Sequence, residues 1–126
     1  MSAWGDFEKL AAERMAAYFG VPALSPLPLD GFPKRFDLVS ADRLIVGDAK
    51  YLALVGRERT PPAKLMEITG HVWLLERTPA QHRFLVFGNQ VEVPRLWLRK
   101  YGDIPTPVAF YFLGPDGLIS DLRAER

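Results

Sequence analysis

Residues 82–88, "HRFLVFG", constrain the fold more than any other stretch of the chain. Phe84, Leu85, Val86 and Phe87 follow one another without a polar residue between them. A strand turns successive side chains to opposite faces, so an unbroken apolar run of strand length is buried on both. A sheet containing such a strand needs a packed layer on each side, and helices are the usual cover.

The rest of the chain supplies those layers. Residues 5–19, "GDFEKLAAERMAAYF", read as a helix rich in Ala, Leu, Glu and Met and closed by Gly20. Residues 21–33 carry four prolines and form an extended connector. "RFDLVS" (35–40) and "RLIVGDAKYLALV" (43–55) are two β-rich runs around Ala41-Asp42, most simply a hairpin. After the polar break "GRERT", Thr60 is placed to cap a helix that starts at Pro61 and runs to about Arg77. Leu65, Ile68, Val72 and Leu75 recur there at helical spacing. Pro94 to Tyr101 reads as a short helix closed by Gly102, and "TPVAFYFL", "GPDG" and "LISDL" as a final hairpin. The order α-β-β-α-β-α-β-β predicts an α/β fold, a central mixed sheet flanked by helices. At 126 residues the chain suits a single domain, 1–126.

Composition removes several function classes. There is no cysteine, which excludes disulfides and thiolate metal sites. No apolar run approaches the roughly 18 residues that span a bilayer. The start "MSAWGDFEKL" lacks the basic opening and small-residue cleavage site of a signal peptide. A cytoplasmic protein with no membrane partner is expected. The net charge is +1, from 16 basic and 15 acidic residues, so any nucleic-acid surface must come from local clustering.

The chemistry concentrates in "LIVGDAKYL", residues 44–52, where an apolar strand runs straight into Asp48 and Lys50. With Ala41 and Asp42 as the loop, Ser40 faces Arg43, Asp37 faces Val46 and Arg35 faces Asp48. Asp37, Asp48 and Lys50 then emerge on one side. Asp37 and Asp48 become diagonal neighbours, with backbones roughly 7–8 Å apart. A three-residue loop would break this parity. On the first helix, stepping about 100° per residue from Phe7 places Ala11, Ala12, Met15, Tyr18 and Phe19 in one apolar arc. Glu8 falls inside that arc, with Lys9 and Glu13 opposite. A carboxylate on a buried stripe needs a partner, such as a metal site or a lysine at the sheet's edge.

Glu8, Asp37 and the "DAK" of Asp48, Ala49 and Lys50 together resemble the PD-(D/E)xK nuclease superfamily. Phe36 stands where the family's name has proline, and the Asp37-to-Asp48 interval of 11 residues is short. The resemblance covers most of the chain and implies a restriction-endonuclease-like α-β-β-α-β core with a C-terminal hairpin. It implies a metal-dependent endonuclease that hydrolyses phosphodiester bonds of nucleic acid, with DNA the expected substrate. Mg²⁺, or Mn²⁺, would be held by Asp37, Asp48 and the backbone carbonyl of Ala49. Lys50 would orient the nucleophile, and Glu8 would complete the catalytic set. This suits the chemistry, since cleavage builds charge on an already anionic phosphate and hard cations prefer oxygen ligands.

Around that core, Arg57, Arg59 and Lys64 would lie near the active edge and hold a phosphate backbone, or else form a solvated surface. A homodimer would help so small a nuclease grip a duplex. The competing reading is a catalytically silent relative that serves as a nucleic-acid-binding or assembly module. Acid-x-Lys is by itself a common tripeptide, and a cross-face ion pair at a strand end explains it as well. His71 and His82 have no ligand spacing and no acidic partner in register, and His71 reads as a surface or half-buried helix residue. Trp73 and Trp97 lie among apolar neighbours and read as core.

Overall fold

The computed structural model describes residues 3–52 and 62–125. In chain order its elements are α1 (Ala3–Phe19), β1 (Ser25–Pro28), β2 (Arg35–Val39), β3 (Ile45–Tyr51), α2 (Pro62–Glu76), β4 (His82–Gly88), α3 (Glu92–Tyr101), β5 (Val108–Leu113) and β6 (Ile119–Asp121). The six strands form one mixed sheet whose spatial order is the chain order. β3, β4 and β5 run parallel to their neighbours among themselves, and the outer pairings are antiparallel. The fold is α/β, with helices on both faces. The expected cap at Thr60 and Pro61 lies outside the described residues, as do Arg57 and Arg59.

The two faces carry separate cores. Phe7, Ala11 and Met15 of α1 pack on Leu38, Ile45, Ala49, Phe84 and Val86. On the other face Leu65, Ile68, Val72 and Leu75 of α2 join Val93, Trp97 and Leu98 of α3 over Val46, Leu85, Phe87 and Phe110. β4 is therefore covered from both sides, and Phe84, Leu85, Val86 and Phe87 are all fully buried. Among the described residues no helix is long and apolar enough to cross a membrane.

Three sequence expectations are corrected. The proline-rich connector contains β1, which pairs with β2. Pro26 and Pro28 are tolerated because β1 is an edge strand, where a missing N–H need not break a ladder. The hairpin loop is longer than two residues, and Val39 rather than Ser40 is the last paired position, opposite Val46. Asp42 causes this by accepting from Ser40 Oγ at 2.7 Å and from the Leu44 N–H at 3.0 Å. Arg43 takes a left-handed φ of 61° to close the turn. The pairing is displaced by two residues, so the facing sides are unchanged. Trp73, finally, is not core: it is 54% exposed, with the Arg77 guanidinium 3.9 Å from its ring centroid. Trp97 is core, stacked on Phe110 and donating to Thr69 Oγ1 at 3.0 Å.

Gly47, one residue before Asp48, shows how tightly α1's face is packed. A Cβ there would lie 2.4 Å from the Phe84 ring. Gly47→Ala is expected to destabilise the protein by about 1–3 kcal/mol, as overpacked cores do. Urea unfolding measures this, and a midpoint equal to the parent's would mean that Phe84 gives way freely.

Candidate functional site

The site is built where β2 leaves β3. The ladder pairs Leu38 with Gly47 and Val39 with Val46, which brings Asp37 level with Asp48. There the two carboxylates replace the next ladder bonds. The Asp37 N–H donates to Asp48 Oδ1 at 2.9 Å, and the Ala49 N–H donates to Asp37 Oδ2 at 3.1 Å. On its other edge β2 slips against β1 between Ser25 and Leu27, which pair with Val39 and Phe36. Three steps along β2 thus oppose two along β1, a bulge that re-aims the residues around Asp37. Phe36 and Val39 consequently share the α2 face although they are three apart.

Asp48 is fully buried, and its second oxygen is already engaged. Lys34, just before β2, donates its ammonium to Oδ2 at 2.5 Å, and His71 Nδ1 of α2 lies 3.0 Å from the same atom. Burial pushes the Asp48 carboxyl up, but the His71 hydrogen bond and the charge and hydrogen bond of Lys34 outweigh it and hold it at about 2. Asp37 moves the other way. Its own burial and then the Asp48 charge raise it, against the Ala49 N–H and the Lys34 charge. The balance of burial, hydrogen bonds and neighbouring charge thus moves the two carboxyls in opposite directions. Glu8 is half-buried, and is raised by burial and then by the charges of Asp37 and Asp48. Glu8 and Asp37 are thus both hindered from ionising, first by burial and then by neighbouring carboxylate charge.

The remaining expected residues fall around this centre. Lys50 is on the same side of β3 but points its ammonium at Glu67 of α2, 3.1 Å away. Burial raises the Glu67 carboxyl, and the hydrogen bond and charge of Lys50 then bring it below its ordinary value, with Lys64 adding its own charge. Lys64 stands three residues before Glu67 on α2. His71 is half-buried, as expected, yet it does have an acidic partner, which corrects the reading that it lacked one.

Lys34 and Glu67 carried no assignment from the sequence. Glu67 and His71 were findable: they lie one turn apart on α2, flanking the buried positions Ile68 and Val72, and so line the same edge of the sheet. Lys34 precedes β2 in a segment without periodicity, and nothing in its neighbours marks it.

Among the described residues no group of three or more His, Cys, Asp or Glu side chains is gathered to hold a metal ion. The donors that do converge are the two carboxylates and a backbone carbonyl. In an extended strand a residue's N–H and C=O point to the same edge, so the Ala49 carbonyl turns toward Asp37 with its N–H. An all-oxygen set of two carboxylates and a carbonyl, completed by water, fits a hard divalent cation. No protein-family model, curated protein or solved structure matches the chain.

Proposed function

We propose that the protein is a metal-dependent nuclease of the PD-(D/E)xK kind, hydrolysing phosphodiester bonds of DNA in the cytoplasm. The observation that carries this reading is the pair Asp37 and Asp48 on adjacent strands, the Asp37 N–H donating to Asp48 Oδ1 and the Asp37 carboxyl raised by burial and then by the Asp48 charge. Carboxylates held together against their own repulsion suit a site that takes up a divalent cation. Asp37, Asp48 and the Ala49 carbonyl would hold Mg²⁺ or Mn²⁺, which when bound offsets charge on the phosphate and acidifies an attacking water.

The protein's own groups have separable tasks in this reading. The Asp37 N–H holds the Asp48 carboxylate and the Ala49 N–H holds that of Asp37, which fixes both before any ligand arrives. Lys50, half-buried and paired with the exposed Glu67, would orient the nucleophile and offset developing charge. Glu8 would receive or relay a proton, its raised carboxyl being closer to neutral pH than an ordinary glutamate. Lys64 would meet the phosphate backbone, and a homodimer would present two such sites to a duplex.

A second reading has its own support. Lys50 is paired with Glu67, and Asp48 Oδ2 is already engaged by the Lys34 ammonium and by His71 Nδ1, as in a purely structural network. A catalytically silent nucleic-acid-binding or assembly module follows from that. Incubation with plasmid, single-stranded, branched DNA and RNA, in Mg²⁺, Mn²⁺ or EDTA, separates the two. Cleavage in metal and none in EDTA supports the nuclease; binding without cleavage in every arm supports the module.

Glu8→Gln adds a sharper test. The side chain faces other acids, so removing its charge should leave the melting temperature unchanged or slightly raised. Cleavage should fall by at least about tenfold, the usual scale for a lost acid–base group. A lower melting temperature with an unchanged rate would refute the catalytic role.

A further inference from the structure

Lys34 is the residue the site's chemistry leaves unexplained. Its ammonium lies 2.5 Å from Asp48 Oδ2, the oxygen turned away from the Asp37 backbone. It is held 4.8 Å over the Phe36 ring centroid, and its side chain is 28% exposed. Lys50, by contrast, is engaged with Glu67. Lys34 also precedes β2 and belongs to no helix or strand.

We infer that Lys34 is a built-in counter-ion that competes with the divalent cation for Asp48 and thereby sets the affinity of the site. This rests on the reading of Asp37 and Asp48 as metal ligands. In the metal-free protein the ammonium holds the Asp48 carboxylate in place. Metal uptake moves the ammonium off Oδ2 toward solvent, because a second cation at bonding distance from the same oxygen is strongly repelled. The cost of that displacement is the strength of a charge-assisted hydrogen bond, and it is deducted from the metal's affinity.

The test is calorimetric titration of Mn²⁺ and Mg²⁺ into the parent, Lys34→Gln and Lys34→Arg, with melting curves in EDTA and in metal. Lys34→Gln should bind Mn²⁺ at least about tenfold more tightly than the parent, from the lost competing bond. It should also melt lower in EDTA and gain more on adding metal. Lys34→Arg keeps the charge in a fork that grips carboxylate better, and should bind Mn²⁺ more weakly than the parent.

Metal binding by the parent with an equal dissociation constant in Lys34→Gln overturns the competition while leaving the metal site standing. Tighter binding in Lys34→Arg would also overturn it, since the charge is still there. Should Lys34→Gln fail to fold, the arginine variant decides, and an unchanged or tighter constant rejects the inference. No binding by any of the three proteins removes the metal site and the competition together.

Discussion

Asp48→Asn is expected to abolish the metal-induced rise in melting temperature, to abolish cleavage, and to destabilise the metal-free protein. On the sequence alone this is a near-isosteric loss of one charge that ought to leave the fold intact. The structure changes that expectation. Asp48 is fully buried and accepts from the Asp37 N–H, with Lys34 and His71 on its other oxygen. An amide can still accept from Asp37, but it offers Lys34 and His71 no charge. The loss should be about 2 kcal/mol at neutral pH, held down because Lys34 is partly solvated and can turn to water.

The pH dependence has a definite sign. Asp48 sits at about 2 in the folded protein, below its ordinary 3.8. Its contribution is therefore present above about pH 4 and is withdrawn as pH falls toward 2. Asp37 is raised, so its contribution runs oppositely: present at low pH and lost as pH rises through its range. Urea midpoints for parent and variant should differ most near neutrality and converge at about pH 2–3. A constant gap across that range would mean that the carboxylate's charge is not what stabilises the site. A metal-induced rise in Asp48→Asn equal to the parent's would place the ion elsewhere.

Lys50→Ala should show the opposite combination, with cleavage lost and metal binding kept. Its partner Glu67 is 44% exposed at the side chain, so breaking that pair should cost no more than about 1 kcal/mol. The lysine is not a metal ligand, and the metal-induced rise in melting temperature should persist. Cleavage should fall by about a hundredfold or more, the scale for removing one group that stabilises charge in the transition state. A variant that cleaves as fast as the parent would make Lys50 and Glu67 a structural ion pair, and the "DAK" element would lose its functional meaning. Together the two substitutions separate the ligand from the charge stabiliser by their opposite effects on metal binding.

What the sequence determined by itself is local periodicity and the side of each strand that a residue faces. The unbroken run at Phe84–Phe87 already required cover on both faces, because a strand has only two. The stripe at Leu65, Ile68, Val72 and Leu75 already chose the buried side of α2. The pairing of Leu38 with Gly47 lies two residues from the register the sequence suggests, and a shift of two leaves parity untouched. Glu8 was drawn inward by its place in the apolar arc of α1, and it does feel both aspartates.

Everything that depends on how separate elements meet was decided only in three dimensions. Asp42 lengthened the hairpin through its own hydrogen bonds to Ser40 and Leu44, a choice that period and composition do not encode. β1 became a strand despite two prolines because the edge of β2 was there to pair with it. Trp73 was left outside because its turn of α2 faces away from the sheet, and hydrophobicity alone does not tell a helix which flank it will bury. Lys34 and His71 reach Asp48 across 14 and 23 residues of chain, and Glu67 reaches Lys50 across 17. No local pattern records such contacts: charge pairing acts through space, and only the packing of α2 and the start of β2 against the end of β3 brings those charges within reach.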